Sequence, residues 1–309
     1  MLCGPRLDPP PLSAVRARLA ALNLTATNLP ATEPAAPDLF AIDLAAADPP
    51  STPLPGDLLE FYHPETLRRI IALRTYLLER DLDSVDAWIR MVALNRLTGH
   101  SPGFFSVYTM PPNQAVSAVS QRRINQQRGQ VPPPRDVAAL ILKKSAALLA
   151  DGAPPAHPPA ILTTGPADCT PALADASVAL LVTSPPFLDI VDYAGDNWLR
   201  CWFAGIDPAA VQIDRHRDVT AWEGFVRRCF NEFARVIRPG GFVAFEVGEV
   251  RSGTVLLERH VAAAIAGLPF DVLGVMVNQQ AFTKTANCWG VSNNRGGTNS
   301  NRIVLAVRR

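Results

Sequence analysis

One short stretch constrains the fold more than any other. The apolar run Ser177-Val178-Ala179-Leu180-Leu181-Val182 reads as a buried strand and stops at Thr183-Ser184-Pro185-Pro186-Phe187. Neither proline has a backbone N–H to donate, so the sheet ladder ends there. The carboxyl end of the strand then presents a hydroxyl, rigid carbonyls and an aromatic face. In open α/β sheets, ligands bind at that edge.

The surroundings extend this pattern. From Ala160 onward strand and helix alternate, with strands expected at 160–163, 177–183, 241–247, 271–278 and 301–308. Helices are expected at 192–204, 218–237 and 254–266. Pro239-Gly240-Gly241 ends one helix and opens the next strand. No helix separates the last two strands, so they should run antiparallel. The fold class is therefore α/β.

The first half is different. A helical pattern runs to about Leu22, and residues 27–58 are rich in Pro and Ala with little periodicity. Pro64 fits the first turn of a helix carrying Leu67, Ile70, Ile71, Leu77 and Leu78 at helical spacing. Ser84 is the expected cap of the next helix. An irregular aromatic stretch around Phe104, Phe105 and Tyr108 leads into the polar, basic segment Gln121–Gln130. A helix is expected from Asp136 to Ala150, and a second Pro-rich linker, 153–159, precedes the α/β block. Three regions result: 1–58, an N-terminal part with a Pro-rich linker; 59–150, helical; and 151–309, α/β.

Composition sets outer limits. The 309 residues are 48% hydrophobic and 18% charged, as in a globular protein with a sizeable core. Net charge is +1, so any basic surface must be local. Cys3, Cys169, Cys201, Cys229 and Cys288 are an odd, scattered set without a C-x-x-C pair. That points to reduced thiols in a cytoplasmic setting, with packing as the role of Cys169 and Cys288, and offers no metal site. Neither a membrane-length apolar run nor a signal-peptide pattern is present.

Thr183-Ser184-Pro185-Pro186-Phe187 resembles motif IV, [DNS]-P-P-[YFW], of the S-adenosylmethionine-dependent DNA amino-methyltransferases. The serine form is more similar to the cytosine-N4 branch than to the adenine-N6 branch. Gly165-Pro166-Ala167-Asp168 sits where that family has its third motif, and a local cap or turn explains Asp168 equally well. Arg238-Pro239-Gly240-Gly241-Phe242-Val243-Ala244-Phe245 resembles the strand entry after motif IV. Phe282-Thr283-Lys284-Thr285-Ala286-Asn287-Cys288-Trp289-Gly290, continuing to Arg302, resembles the family's final hairpin. These matches span about 160–309. They imply a Rossmann-like methyltransferase sheet with an antiparallel C-terminal hairpin and a mainly helical insertion.

The resemblance also implies roles. Ser184, Pro185, Pro186 and Phe187 would be catalytic: Ser184 Oγ and the Pro185 carbonyl accept the N–H bonds of an exocyclic amine, and Phe187 stacks on a flipped base. Phe187 replaces the commoner tyrosine and keeps only the stacking face. Thr183 and Asp168 would face S-adenosylmethionine. Asp8, within Asp8-Pro9-Pro10-Pro11-Leu12-Ser13-Ala14, resembles the acidic residue that binds the cofactor's ribose; a turn before prolines explains it as well. The sulfonium activates the methyl group, so no metal is needed.

Double-stranded DNA is the implied partner. Arg122, Arg123, Asn125, Gln126 and Arg128 in the insertion, with Lys284, Asn287 and Arg302 near the C-terminus, suit phosphates and base edges. A solvated helix face explains the insertion set without DNA. The resemblance admits a cognate restriction endonuclease and leaves the oligomeric state open. One expected element is missing, the glycine-rich motif I of the form F-x-G-x-G. The expectation is that the sequence begins just after it, through a start codon placed too late or a truncated gene.

Overall fold

The computed structural model describes residues 1–24, 58–109, 115–156, 158–188, 193–248, 250, 254–280 and 299–309. The chain divides into two compact units, Met1–Ala160 with Ala194–Val211, and Ile161–Tyr193 with Gln212–Arg309. Among the described residues no helix is long and apolar enough to cross a membrane.

The first unit is helical. It contains α1 (Gly4–Leu7), α2 (Leu12–Leu22), α3 (Pro64–Leu78), α4 (Ser84–Leu94), α5 (Ala118–Arg128), α6 (Val137–Leu148) and nearly all of α7 (Tyr193–Ala204). Pro64 opens α3 behind the His63 cap. The α4 cap is Asp83 rather than Ser84, because the Asp83 carboxylate reaches the Asp86 N–H at 2.8 Å. α5 starts at the Ser117 cap and ends at Gly129, whose φ of 57° is left-handed.

Buried Ile70, Leu73, Trp88, Ile89, Met91 and Phe105 close this core. Some of its polar groups are matched within it, whereas Thr109 Oγ1 and Gln121 Oε1 are buried without a partner among the described residues. The Trp88 indole donates to Ser145 Oγ at 2.9 Å, and the Tyr62 hydroxyl donates to the Leu97 carbonyl at 3.0 Å. Arg18 bridges Asp83 and Asp86.

The second unit is a mixed α/β layer. It holds β1 (Val178–Thr183), α8 (Val219–Val236), β2 (Ile237–Val247), α9 (Leu257–Ala264), β3 (Phe270–Gln280) and β4 (Asn299–Arg308). The sheet order is β1-β2-β4-β3; β1 and β2 are parallel, and β4 is antiparallel to both β2 and β3. The α/β class and the antiparallel final pair are as expected from the sequence.

α8 forms because Trp222, Phe225, Val226, Cys229, Phe230, Phe233 and Val236 recur on one face, and Asp218 caps its first turn. That face packs on Val243, Phe245, Val304 and Ala306, whose registers place them on one side of the sheet. β2 starts at Ile237, earlier than expected, and bulges at Arg238–Gly241: Val178 pairs with Ile237, but Leu180 already pairs with Phe242. Gly240 has φ 75°, and a Cβ on Gly241 would sit 2.6 Å from Ile237 Cγ2. Both glycines are needed for the excursion.

The strand expected at 160–163 does not form. These residues follow Pro158-Pro159 and lie exposed, Ile161 at 67%, with no ladder neighbour among the described residues. Strand propensity alone does not hold an extended segment without a partner.

Candidate active site

The β1 ladder carries the chain to its stop. Thr183 is the last residue of β1, paired with Phe245 and half-buried. Ser184 is exposed, and Pro185, Pro186 and Phe187 are half-buried. Leu188, fully buried, anchors the segment in the sheet-unit core.

Two contacts set the geometry of this segment. The Trp222 indole N–H donates to the Pro186 carbonyl at 3.1 Å, tying the double proline to α8. The Phe187 ring lies against Gly248: a Cβ there would come within 2.6 Å of Phe187 Cε2. Gly248 is thus a floor for the ring, just past the end of β2. No local signal marks Trp222, because a helical tryptophan on an apolar face reads as core. Gly248 is visible as a glycine directly after a strand.

Among the described residues, neither Ser184 Oγ nor the Pro185 carbonyl has a hydrogen-bond partner. Two acceptors therefore remain open in the residues that directly precede Phe187, whose ring rests on Gly248. That arrangement can take two N–H bonds from a planar amine stacked on the ring.

Asp168 lies in the same unit with its carboxylate engaged. Arg228 Nε donates to Asp168 Oδ2 at 3.1 Å, and Arg228 also faces Asp214 at 3.8 Å. The 170–175 loop is held by Arg235, which donates to Glu232, Asp175 and the Leu173 and Thr170 carbonyls. Arg235, then the Thr170 hydroxyl and N–H, hold the Glu232 carboxyl down at about 2. Burial, with Asp168 and Asp214 nearby, pushes the Cys229 thiol up to about 12, leaving it a packing group. Cys169 is exposed rather than packed, on the turn that precedes Thr170. Cys288 lies outside the described residues. Arg302 pairs with Glu258 of α9.

Asp8 belongs to the helical unit. It is exposed and borders a depression of about 330 Å³ with Pro5, Ser84, Ala87 and Arg90. The α5 residues divide into two groups. Asn125 is buried, and its amide donates to the Glu60 carbonyl at 2.8 Å and accepts from Gln121 and Gln130. Arg122 pairs with Glu60 at 2.6 Å, and the Arg128 guanidinium lies 3.9 Å above the Tyr108 ring. Arg123 and Gln126 are exposed, one helical turn apart, and their side chains make no hydrogen bond or ion pair among the described residues. Lys284 and Asn287 lie outside the described residues. Among the described residues no group of three His, Cys, Asp or Glu could hold a metal ion.

No family model matches this chain. No curated protein matches it. Among solved structures it is similar to TTHA0409, described as "Putative DNA Modification Methylase", from Thermus thermophilus, complexed with S-adenosyl-L-methionine. That match has 21% identity and a TM-score of 0.27, over 44% of this chain and 50% of that one. A second structure of TTHA0409 matches at 21% identity and a TM-score of 0.30, over 47% and 52%. The chain spans about half the length of these structures.

Proposed function

We propose that this chain carries the base-binding half of an S-adenosylmethionine-dependent DNA amino-methyltransferase, with cytosine N4 as the methylated atom. The observation that supports this reading is the pair of open acceptors, Ser184 Oγ and the Pro185 carbonyl, beside the Phe187 ring that Gly248 seats.

The chemistry needs these residue types. An exocyclic amine is a weak nucleophile because its lone pair is delocalised into the ring. Two acceptors on its N–H bonds draw the nitrogen towards a tetrahedral geometry and localise that lone pair. Phe187 takes the face of a base that has left the duplex. Trp222 keeps the Pro186 carbonyl occupied, so the proline pair cannot swing and the Pro185 carbonyl keeps its direction. On α5, the exposed Arg123 and Gln126 are available to a phosphate and a base edge, whereas Asn125 is buried and bonded to the Glu60 carbonyl.

The described residues do not by themselves fit the methyl donor. Asp168 is spent on Arg228, and the space over Gly248 is filled by Phe187. No F-x-G-x-G stretch occurs in the 309 residues. S-adenosylmethionine, when bound, would supply an activated methyl group; the residues described here act on the acceptor.

A transfer assay with labelled S-adenosylmethionine tests the reading. The protein is isolated from its own cells with whatever accompanies it and is offered DNA, RNA and protein. Label in DNA alone is the expected result. Label in RNA or protein moves the acceptor to another class. DNA binding without any transfer makes the chain a DNA-binding remnant.

A further inference from the structure

The acceptor segment leads directly into another element. Leu188 is followed by residues 189–192 and then by α7, whose residues from Ala194 onward belong to the helical unit. A link of that length reaches about 18 Å at most when fully extended. The chain that leaves Phe187 is thus tied closely to α7.

Within the helical unit, α7 holds the root of α5. The Trp198 indole N–H donates to the Ala115 carbonyl at 3.2 Å and to the Val116 carbonyl at 3.3 Å. The Ala115 N–H in turn donates to the Asp196 carbonyl at 3.3 Å. Ala115 and Val116 directly precede Ser117, the α5 cap. Their carbonyls lie outside the α5 ladder, which starts with the Gln121 N–H on the Ser117 carbonyl. Trp198 also meets Phe61 edge-on, with ring centroids 5.9 Å apart. The neighbouring Glu60 accepts from the Asn125 amide through its carbonyl and pairs with Arg122 through its carboxylate. α5, residues 60–61 and α7 therefore close a ring of contacts, and α5 cannot tilt without breaking one of them.

This ring matters for a base taken from a duplex. Such a base reaches a site only if the duplex is held in register with that site. A misplacement of about 1 Å, arising far from the chemistry, costs about a hundredfold in rate. A single-stranded base needs no such register, because its backbone is free to follow it. The route from the acceptor segment to the root of α5 is short, and Trp198 is the side chain that joins its two parts.

We propose that Trp198 is a positioning residue. Through its two bonds to the root of α5 it sets the register between the helix that carries Arg123 and Gln126 and the segment that receives the base. The inference rests on the acceptor-site reading above and on DNA contact through those two side chains.

The test uses the full chain isolated from its own cells with whatever accompanies it. The wild type is compared with Trp198→Phe, which keeps a ring for Phe61 and loses the indole N–H. A second variant carries a Gly-Gly insertion after Ile190, which lengthens the link and leaves Trp198 in place. The acceptor is DNA from cells that lack the protein, offered as duplex and after heat denaturation. Both variants should bind the duplex with wild-type affinity and methylate denatured DNA at the wild-type rate. Both should methylate the duplex about tenfold to a hundredfold more slowly, in kcat rather than KM. Equal losses on the two acceptors would make Trp198 a fold residue and overturn the proposal. Wild-type duplex rates in either variant also overturn it and leave the acceptor-site reading intact. If Trp198→Phe does not fold, the insertion variant decides by the same split. A wild-type protein that methylates neither acceptor overturns that reading, and this inference with it.

Discussion

Trp88 and Phe242 mark the contrast between the two units. Trp88 is 3% exposed among helices, and its one polar atom is bonded to Ser145. Phe242 is 49% exposed in the middle of a sheet, in a row with Leu180 and Val307. In the helical unit some polar side chains turn inward: Gln121 and Gln130 donate to Asn125, whose own amide donates to the Glu60 carbonyl. The sheet unit leaves apolar surface and two acceptors outward, at the end of the strand with the free edge. A region that leaves apolar rows and acceptors at its surface is where a ligand is to be sought.

The sharpest way to break this contrast is at the open acceptor. Ser184→Ala removes a hydroxyl that holds nothing in the fold. Methyl transfer should fall about a hundredfold to a thousandfold with the melting temperature unchanged, as for loss of one preorganised polar contact to a reacting group. Wild-type transfer would take Ser184 out of the chemistry.

Next comes a matched pair on β2. Phe245 is 1% exposed on the helix-covered face, and Phe245→Ala should cost about 3–5 kcal/mol in urea unfolding. Phe242→Ala on the open face should cost about 1 kcal/mol at most in the isolated chain. Equal losses would show that the open face is covered after all.

Gly248→Ala is finer. The added methyl displaces the Phe187 ring, so transfer should drop about tenfold to a hundredfold while the fold persists. An unchanged rate would mean that the ring position does not matter.

The smallest effect is a pH dependence within the sheet unit. Arg235 and Thr170 hold the Glu232 carboxyl below its ordinary value of 4.5, at about 2. Its contribution to stability is therefore complete above about pH 4.5 and is lost as pH falls through about 2. Melting curves of Glu232→Gln should lack that acid-side loss, whereas a variant that follows the wild-type slope would assign the loss to other groups.

Local rules made much of the sheet unit legible. The double proline stops β1, the apolar face of α8 specifies the helix, and Pro239-Gly240-Gly241 lies at the start of β2. Non-local facts were not legible. Asn125 and Arg122 looked like a nucleic-acid face, but their partner, Glu60, lies more than sixty residues away. An amide or guanidinium has the same donors whether it meets DNA or its own backbone. The Trp222 bond to Pro186 spans 36 residues, and the Asp168–Arg228 pair spans 60. Residues 160–163 show the converse: a strand needs a neighbour, and sequence reports only the propensity.

Mass spectrometry of nucleosides, on DNA from cells with and without this protein, reads out the methylated base itself. N4-methylcytosine that disappears with the protein and with Ser184→Ala is the expected result. N6-methyladenine in its place would contradict the cytosine assignment. DNA with no methylated amino group that depends on the protein would contradict the claim itself.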